Sequence, residues 1–129
     1  MRRTAVNPWQ WQQKYGFTQG WRVEGVRTLL FVSGQGPVDA NGAVVGEGDF
    51  EAQVRTTIAN LETVLTAAGG SLDSILKMTT YLTDVSQLAD YARIRAELVT
   101  GTLPASTVIG VSGLAFPGMQ IEIDVVAAL

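Results

Sequence analysis

Leu30-Phe31-Val32-Ser33-Gly34-Gln35-Gly36-Pro37 is the stretch that decides the fold. An apolar run with strand character stops at a glycine-bracketed turn closed by a proline, which no central strand continues through. Its counterpart lies near the other end of the chain. Pro104-Ala105-Ser106-Thr107-Val108 leads into one strand, and Gln120-Ile121-Glu122-Ile123-Asp124-Val125 forms another. In the latter, Ile121, Ile123 and Val125 point one way, and Gln120, Glu122 and Asp124 the other.

Between these strands the signals are regular. Asp39-Ala40-Asn41-Gly42 reads as a turn, with Ala43-Val44-Val45 as a short returning strand. Asp49 reads as an N-cap, and Phe50, Val54, Ile58, Leu61, Val64 and Leu65 follow at helical spacing up to Gly69-Gly70. Ile75 to Thr83 is a strand. Ser86 reads as the cap of a second helix through Leu98. Ser106 to Ser112 and Met119 to Ala127 close the chain, around Pro117-Gly118. Upstream, Trp21 to Gly25 and Thr28 to Ser33 are strands, and residues 1–20 read as an irregular, aromatic-rich lead-in.

The predicted order is β-β-(β)-α-β-α-β-β. A strand–helix–strand crossover onto one sheet is right-handed. The fold class is therefore α+β, a two-layer sandwich with a mixed β-sheet and two helices on one face. The second face of the sheet is left half-apolar, and other copies of the chain are its natural cover. Residues 1–129 form a single domain.

Composition narrows the chemistry. Hydrophobic residues make up 47% and charged residues 16%, below the roughly one quarter usual for a soluble domain. That balance favours an oligomer. A net charge of −3 and no basic stripe argue against nucleic acid as a partner. No apolar run spans a membrane and no secretory signal opens the chain, so a cytoplasmic location is expected. The chain has no cysteine and no histidine. Thiolate nucleophiles, Cys/His metal sites and a Ser-His-Asp triad are excluded. Catalysis must use carboxylates, hydroxyls, amides, Lys or Arg, backbone N–H groups and water.

From about Gly16 onward the chain resembles the RidA/YjgF family. The resemblance rests on Phe31-Val32-Ser33-Gly34-Gln35 with Pro37, on Gln53, Asn60 and Leu61, and on Ala67-Ala68-Gly69. It extends through Ile75-Leu76-Lys77-Met78-Thr79-Thr80-Tyr81-Leu82-Thr83-Asp84, Pro104-Ala105-Ser106-Thr107-Val108 and Ile121-Glu122-Ile123-Asp124. Each motif is weak alone; their order and spacing are specific. The resemblance implies a chorismate-mutase-like fold, a homotrimer, and a small-molecule cleft between subunits. It implies hydrolysis of imine or enamine acids, released by pyridoxal-phosphate enzymes, to keto acid and ammonia, without a cofactor or metal. A family arginine grips the substrate carboxylate, and a carboxylate holds the attacking water.

Position by position the match is partial. Glu122 stands where the family's water-holding acid stands, and Ser33 with Gly34 where the family lines its cleft. The arginine position falls on Ser106, the cleft tyrosine on Phe17, an asparagine on Ala92, and a cysteine or threonine on Val108. Thr107 and Trp21 complete the expected substrate-binding set. All four replacements run towards small or apolar groups, so a bulkier, more apolar or aromatic ligand is expected. Trp9, Trp11, Trp21, Phe17 and Phe116 are candidates for an aromatic wall.

Each of these residues also has a plainer reading. Glu122 fits the polar side of any alternating strand, and Ser33-Gly34 any strand-to-turn junction. Arg93 and Arg95 offer a replacement cation, but the favoured reading is solvation or pairing with Asp90 or Glu97. Lys77 reads as structural. Three functions remain: an imine or enamine hydrolase using Glu122 and Ser33, a non-catalytic trimeric binder, and a cyclase, isomerase or lyase reusing the cleft.

Overall fold

The computed structural model describes residues 1–129. Eight principal elements follow in order. They are β1 (Arg2–Val6), β2 (Gly20–Glu24), β3 (Leu29–Gln35), α1 (Phe50–Ala67), β4 (Ile75–Leu82), α2 (Leu88–Leu98), β5 (Ala105–Gly110) and β6 (Ile121–Ala128). Four strands form a mixed sheet in the order β3-β6-β4-β5, and β1 and β2 form a separate hairpin-like pair. β4 and β5 run parallel, joined through α2. β6 runs antiparallel to both β3 and β4. The expected α+β sandwich with two helices on a mixed sheet is therefore present.

The core lies between the helices and one sheet face. α1 contributes Phe50, Val54, Ile58, Leu61 and Leu65, and the sheet contributes Val32, Ile75, Met78, Leu82, Ile121, Ile123 and Val125. Burial of each such side chain contributes about 1.5–3 kcal/mol. Asp49 caps α1, accepting from the Ala52 N–H at 3.1 Å. Gly69, at a φ of 86°, makes the left-handed turn that ends it.

Two polar residues of α1 set the loops around the sheet. The Asn60 amide donates to the Gly36 and Val38 carbonyls at 2.8 and 2.9 Å, fixing the turn after β3. Fully buried Gln53 donates to the Gly118 carbonyl at 2.9 Å and accepts from the Gln120 N–H at 2.8 Å. Gln53 thus fixes the chain at Gln120, just before β6 begins and two residues before Glu122.

The structure corrects three local expectations. The lead-in is not wholly irregular: Arg2–Val6 is a strand paired with Gly20–Glu24. Its side chains bury no core face, so the period-2 signal is missing. Side-chain bonds anchor it instead, with Arg2 paired to Glu24 and Arg3 donating to the Asp73 and Ile75 carbonyls at 2.7 and 2.9 Å. The returning strand at Ala43–Val45 reduces to one bridge between Val38 and Val44, because Asp39 takes the Asn41 and Ala43 N–H groups into a tight turn. Ser86 does not cap the second helix. It lies in a 3₁₀ turn, Val85–Gln87, where Asp84 accepts from its N–H, and α2 begins at Leu88.

The other sheet face has no covering layer. Phe31 is 73% exposed there, paired across to Val126. Leu29 and Ile109 are also exposed. No helix is long and apolar enough to cross a membrane.

Candidate functional site

The expected site residues separate into two groups on opposite faces of the sheet. Strand alternation decides which residue goes where. On β6, Ile121, Ile123 and Val125 face the helices, which turns Glu122 and Asp124 to the open face. On β5, Ser106 pairs with the buried Met78, and its side chain meets α2. Glu122 and Ser106 therefore cannot share a cavity within one chain.

The open-face group is built around Glu122. Its carboxylate lies against Gly34, where a Cβ would stand 2.6 Å from the Glu122 Cδ. A glycine is required for this approach. The β3–β6 register slips between Val32 and Gln35, which places Ser33 and Gly34 in an irregular stretch beside the acid. Ser33 is exposed, and its carbonyl accepts from the Gln35 amide at 3.2 Å.

Neighbouring groups on the same face are already engaged. The Tyr81 hydroxyl donates to Asp124 Oδ2 at 2.8 Å, and this bond to a carboxylate pushes the phenol above its usual range. Lys77 Nζ donates to the Thr107 hydroxyl. Burial lowers the Lys77 pKa and Asp124 opposes the shift, so this lysine sits in a less ordinary setting than its sequence context indicates. Thr107 consequently faces away from the Ser106 side.

The helix-side group forms a cleft of about 710 Å³ between α2, β5 and the segment before β2. Phe17, Ala92, Ser106 and Val108 all line it, together with Trp11, Tyr15, Leu88 and Tyr91. The segment is a 3₁₀ turn, Trp11–Tyr15, closed by Gly16 at a φ of 69°. Past it, the Thr18 N–H donates to the Pro104 carbonyl at 3.0 Å, and Thr18 bridges to Ala105 alongside β5. This docking sets Phe17 beside Ser106. Trp11 packs edge-on to both Tyr15 and Phe17, with ring centroids 6.2 and 5.8 Å apart.

Other expected aromatics lie elsewhere. Trp21 donates its indole N–H to the Leu103 carbonyl at 2.9 Å, and the Arg3 guanidinium lies 4.5 Å over its ring. It braces the β1–β2 pair and is not among the cleft-lining residues. Trp9 and Phe116 are exposed and also outside that lining.

The cleft holds one cation that the sequence reading set aside. Arg95 is only 5% exposed and pairs with no carboxylate. Nη1 donates to Ser106 Oγ at 3.0 Å, and Nη2 to the Tyr15 and Gly16 carbonyls at 2.9 and 3.2 Å. The guanidinium also lies 5.4 Å from the Tyr91 ring centre. The expected pairing with Asp90 or Glu97 fails for Arg95 and holds only for Arg93, which meets Glu97 at 3.7 Å and Glu51 at 3.1 Å. A signal was present in the sequence: Tyr91, Ile94, Arg95 and Leu98 share one helical face, three of them apolar.

Comparison with known proteins agrees with this architecture. A family profile described as endoribonuclease L-PSP matches residues 14–129. A RutC family protein of Pyrococcus horikoshii is 35% identical over 99 residues, covering 77% of this chain and 78% of its own. The mitochondrial protein mmf1 of Schizosaccharomyces pombe is 33% identical over 127 residues, covering 97% of this chain and 75% of its own. The crystal structure of YyfB, of the conserved Rid family of Yersinia pestis, matches with a TM-score of 0.89 at 31% identity, over 100% of both chains.

Proposed function

The chain belongs to the endoribonuclease L-PSP family, the Rid/YjgF proteins, and on that premise we propose that it is a homotrimeric hydrolase of imines or enamines. Each site would be completed between copies. One observation carries the reading: Glu122 and the Ser106 cleft lie on opposite faces of one sheet, so only a neighbouring copy brings them together. Packing of the open faces would supply that neighbour and bury Phe31. Glu122 would hold the attacking water, with Ser33 and the Gly34 N–H orienting the substrate. The aromatic wall of Trp11, Tyr15 and Phe17 favours a bulkier, more apolar substrate. A cytoplasmic location goes with this reading, and cell fractionation tests it.

The ribonuclease activity in the family's description fits this chain less well. Arg55 and Arg93, neighbouring surface cations, are each bridged to Glu51 and Glu97 and are not free to meet phosphate. The net charge is −3. A second reading, a non-catalytic binder, draws support from Phe17, Ala92 and Val108, which offer no proton-transfer group.

The test generates imines in situ with amino-acid oxidases from small, branched and aromatic amino acids. Keto-acid release should accelerate most for aromatic imines and be lost in Glu122→Gln, which should retain the trimer. Release at the same rate with and without protein across the panel would sink the hydrolase reading and favour the binder.

A further inference from the structure

We propose that Arg95 and Ser106 together form an anion-receiving corner of the cleft, which selects a monocarboxylate carrying a ring-sized apolar body. The inference deepens the cleft reading above, and it reverses one expectation from sequence. Serine at position 106 reads as loss of the carboxylate anchor. In the structure, the charge stands behind that serine, delivered from α2.

The argument is one of hydrogen-bond accounting. Arginine offers five N–H donors. Both Nη2 hydrogens are used by the Tyr15 and Gly16 carbonyls, and one Nη1 hydrogen by Ser106 Oγ. The guanidinium also bonds the Tyr91 side chain, which leaves at most one of the other two N–H groups, Nε and the second Nη1, without a protein acceptor. Ser106 Oγ accepts from Arg95, so its own hydrogen points elsewhere, and no protein acceptor is recorded for it either. Both residues line the same cleft. A ligand anion there can accept from Ser106 O–H, polarised by the guanidinium behind it.

The electrostatics point the same way. A buried arginine is nearly always paired, because an isolated charge in a poorly solvated site is costly. Arg95 is 95% buried against carbonyls, a hydroxyl and an aromatic ring, with no carboxylate in salt-bridge range. Neutral acceptors hold its geometry and leave its charge uncompensated. Most of the remaining wall is apolar, with Trp11, Phe17, Leu88 and Val108; Ser86, Tyr15 and Tyr91 add hydroxyl groups, and there is no second cation. One anionic group is therefore accommodated, with an apolar remainder.

The experiment uses two unreactive probes of nearly equal shape, 3-phenylpropionate and 3-phenylpropionamide. Binding to the full-length protein is measured by isothermal titration. The acid should bind at least about tenfold tighter than the amide, the size of one charge-assisted hydrogen bond. Arg95→Gln should bring the two probes to parity. Because Arg95 also holds the Tyr15–Gly16 turn, Ser106→Ala is the second variant; it leaves those carbonyl bonds intact and should lose most of the acid preference. Arg95→Lys should retain part of it. Equal affinity for the two probes, no saturable binding of the acid, or a preference that survives both Arg95→Gln and Ser106→Ala would overturn the proposal. Neither probe has a C=N bond, so absent imine turnover does not touch it, and turnover without acid preference sinks it alone.

Discussion

The Glu122 carboxyl group occupies the space that a side chain at Gly34 would need: a Cβ there would stand 2.6 Å from Glu122 Cδ and 2.9 Å from Oε1. The glycine is thus a steric partner of the acid as well as a turn residue. Gly34→Ala should push the carboxylate aside by roughly an ångström and lower imine turnover about 100-fold, the usual penalty for such misplacement. Thermal stability should change little, because the acid lies on the open face. Steady-state kinetics beside a melting curve check both halves.

Ser106→Arg would restore the residue that the family pattern places at this position. Here it should destabilise. The new guanidinium would enter a partly buried position where Arg95 Nη1 now stands 3.0 Å from the serine oxygen. Two close, unpaired cations and the added volume should cost about 3 kcal/mol. The exchanged pair, Ser106→Arg with Arg95→Ser, should recover much of the loss. Chemical denaturation of the three proteins decides it.

Phe31→Lys tests the open sheet face. Phe31 is not part of the core cluster and is 73% exposed in the single chain. The fold should survive with its circular dichroism unchanged, while a charge placed beside Leu29 and Val126 should oppose packing between copies. Light scattering should find 13.8 kDa single chains in place of trimers. A wild-type protein already running at that mass would refute the intersubunit site.

The α1–α2 surface predicts an acid-sensitive contribution to stability. Hydrogen bonds from Arg93 and Arg55 hold the Glu51 carboxyl below its ordinary value of 4.5. A carboxylate with a lowered folded-state pKa adds stability that is complete above the unfolded value and disappears as pH falls through the folded one. Glu51→Gln should therefore melt earlier than wild type at neutral pH, with the gap closing in strong acid. The gap should be small, since the pair is exposed, and raised salt should narrow it at neutral pH.

Sequence pattern revealed the parts of this fold that obey a period. Ile121, Ile123 and Val125 announced the two faces of β6, and Phe50 to Leu65 announced the buried stripe of α1. β1 escaped because its pairing with β2 buries no core face and its other anchors are arginines, which carry no alternation. Within the candidate site, the family motif singled out Glu122, Ser33 and Gly34, which the structure places side by side, and Phe17, Ala92, Ser106 and Val108, which line one cleft. That these form two groups separated by the thickness of a sheet follows only from strand pairing. Arg95 was undervalued for a related reason. Its acceptors, Tyr15 and Gly16, are backbone carbonyls some eighty residues upstream, and carbonyls are invisible to side-chain pattern reading.

The division of labour between the two faces of the sheet has a genetic consequence. If every whole site joins the acid of one chain to the cleft of the next, defects in the two halves should complement. Chains carrying Glu122→Gln and chains disabled in the cleft would each be inactive alone. Co-expressed, they would form mixed rings in which an intact acid meets an intact cleft at one junction. Activity returning from two dead parents would then show that each site is shared between two chains, without any image of the assembly.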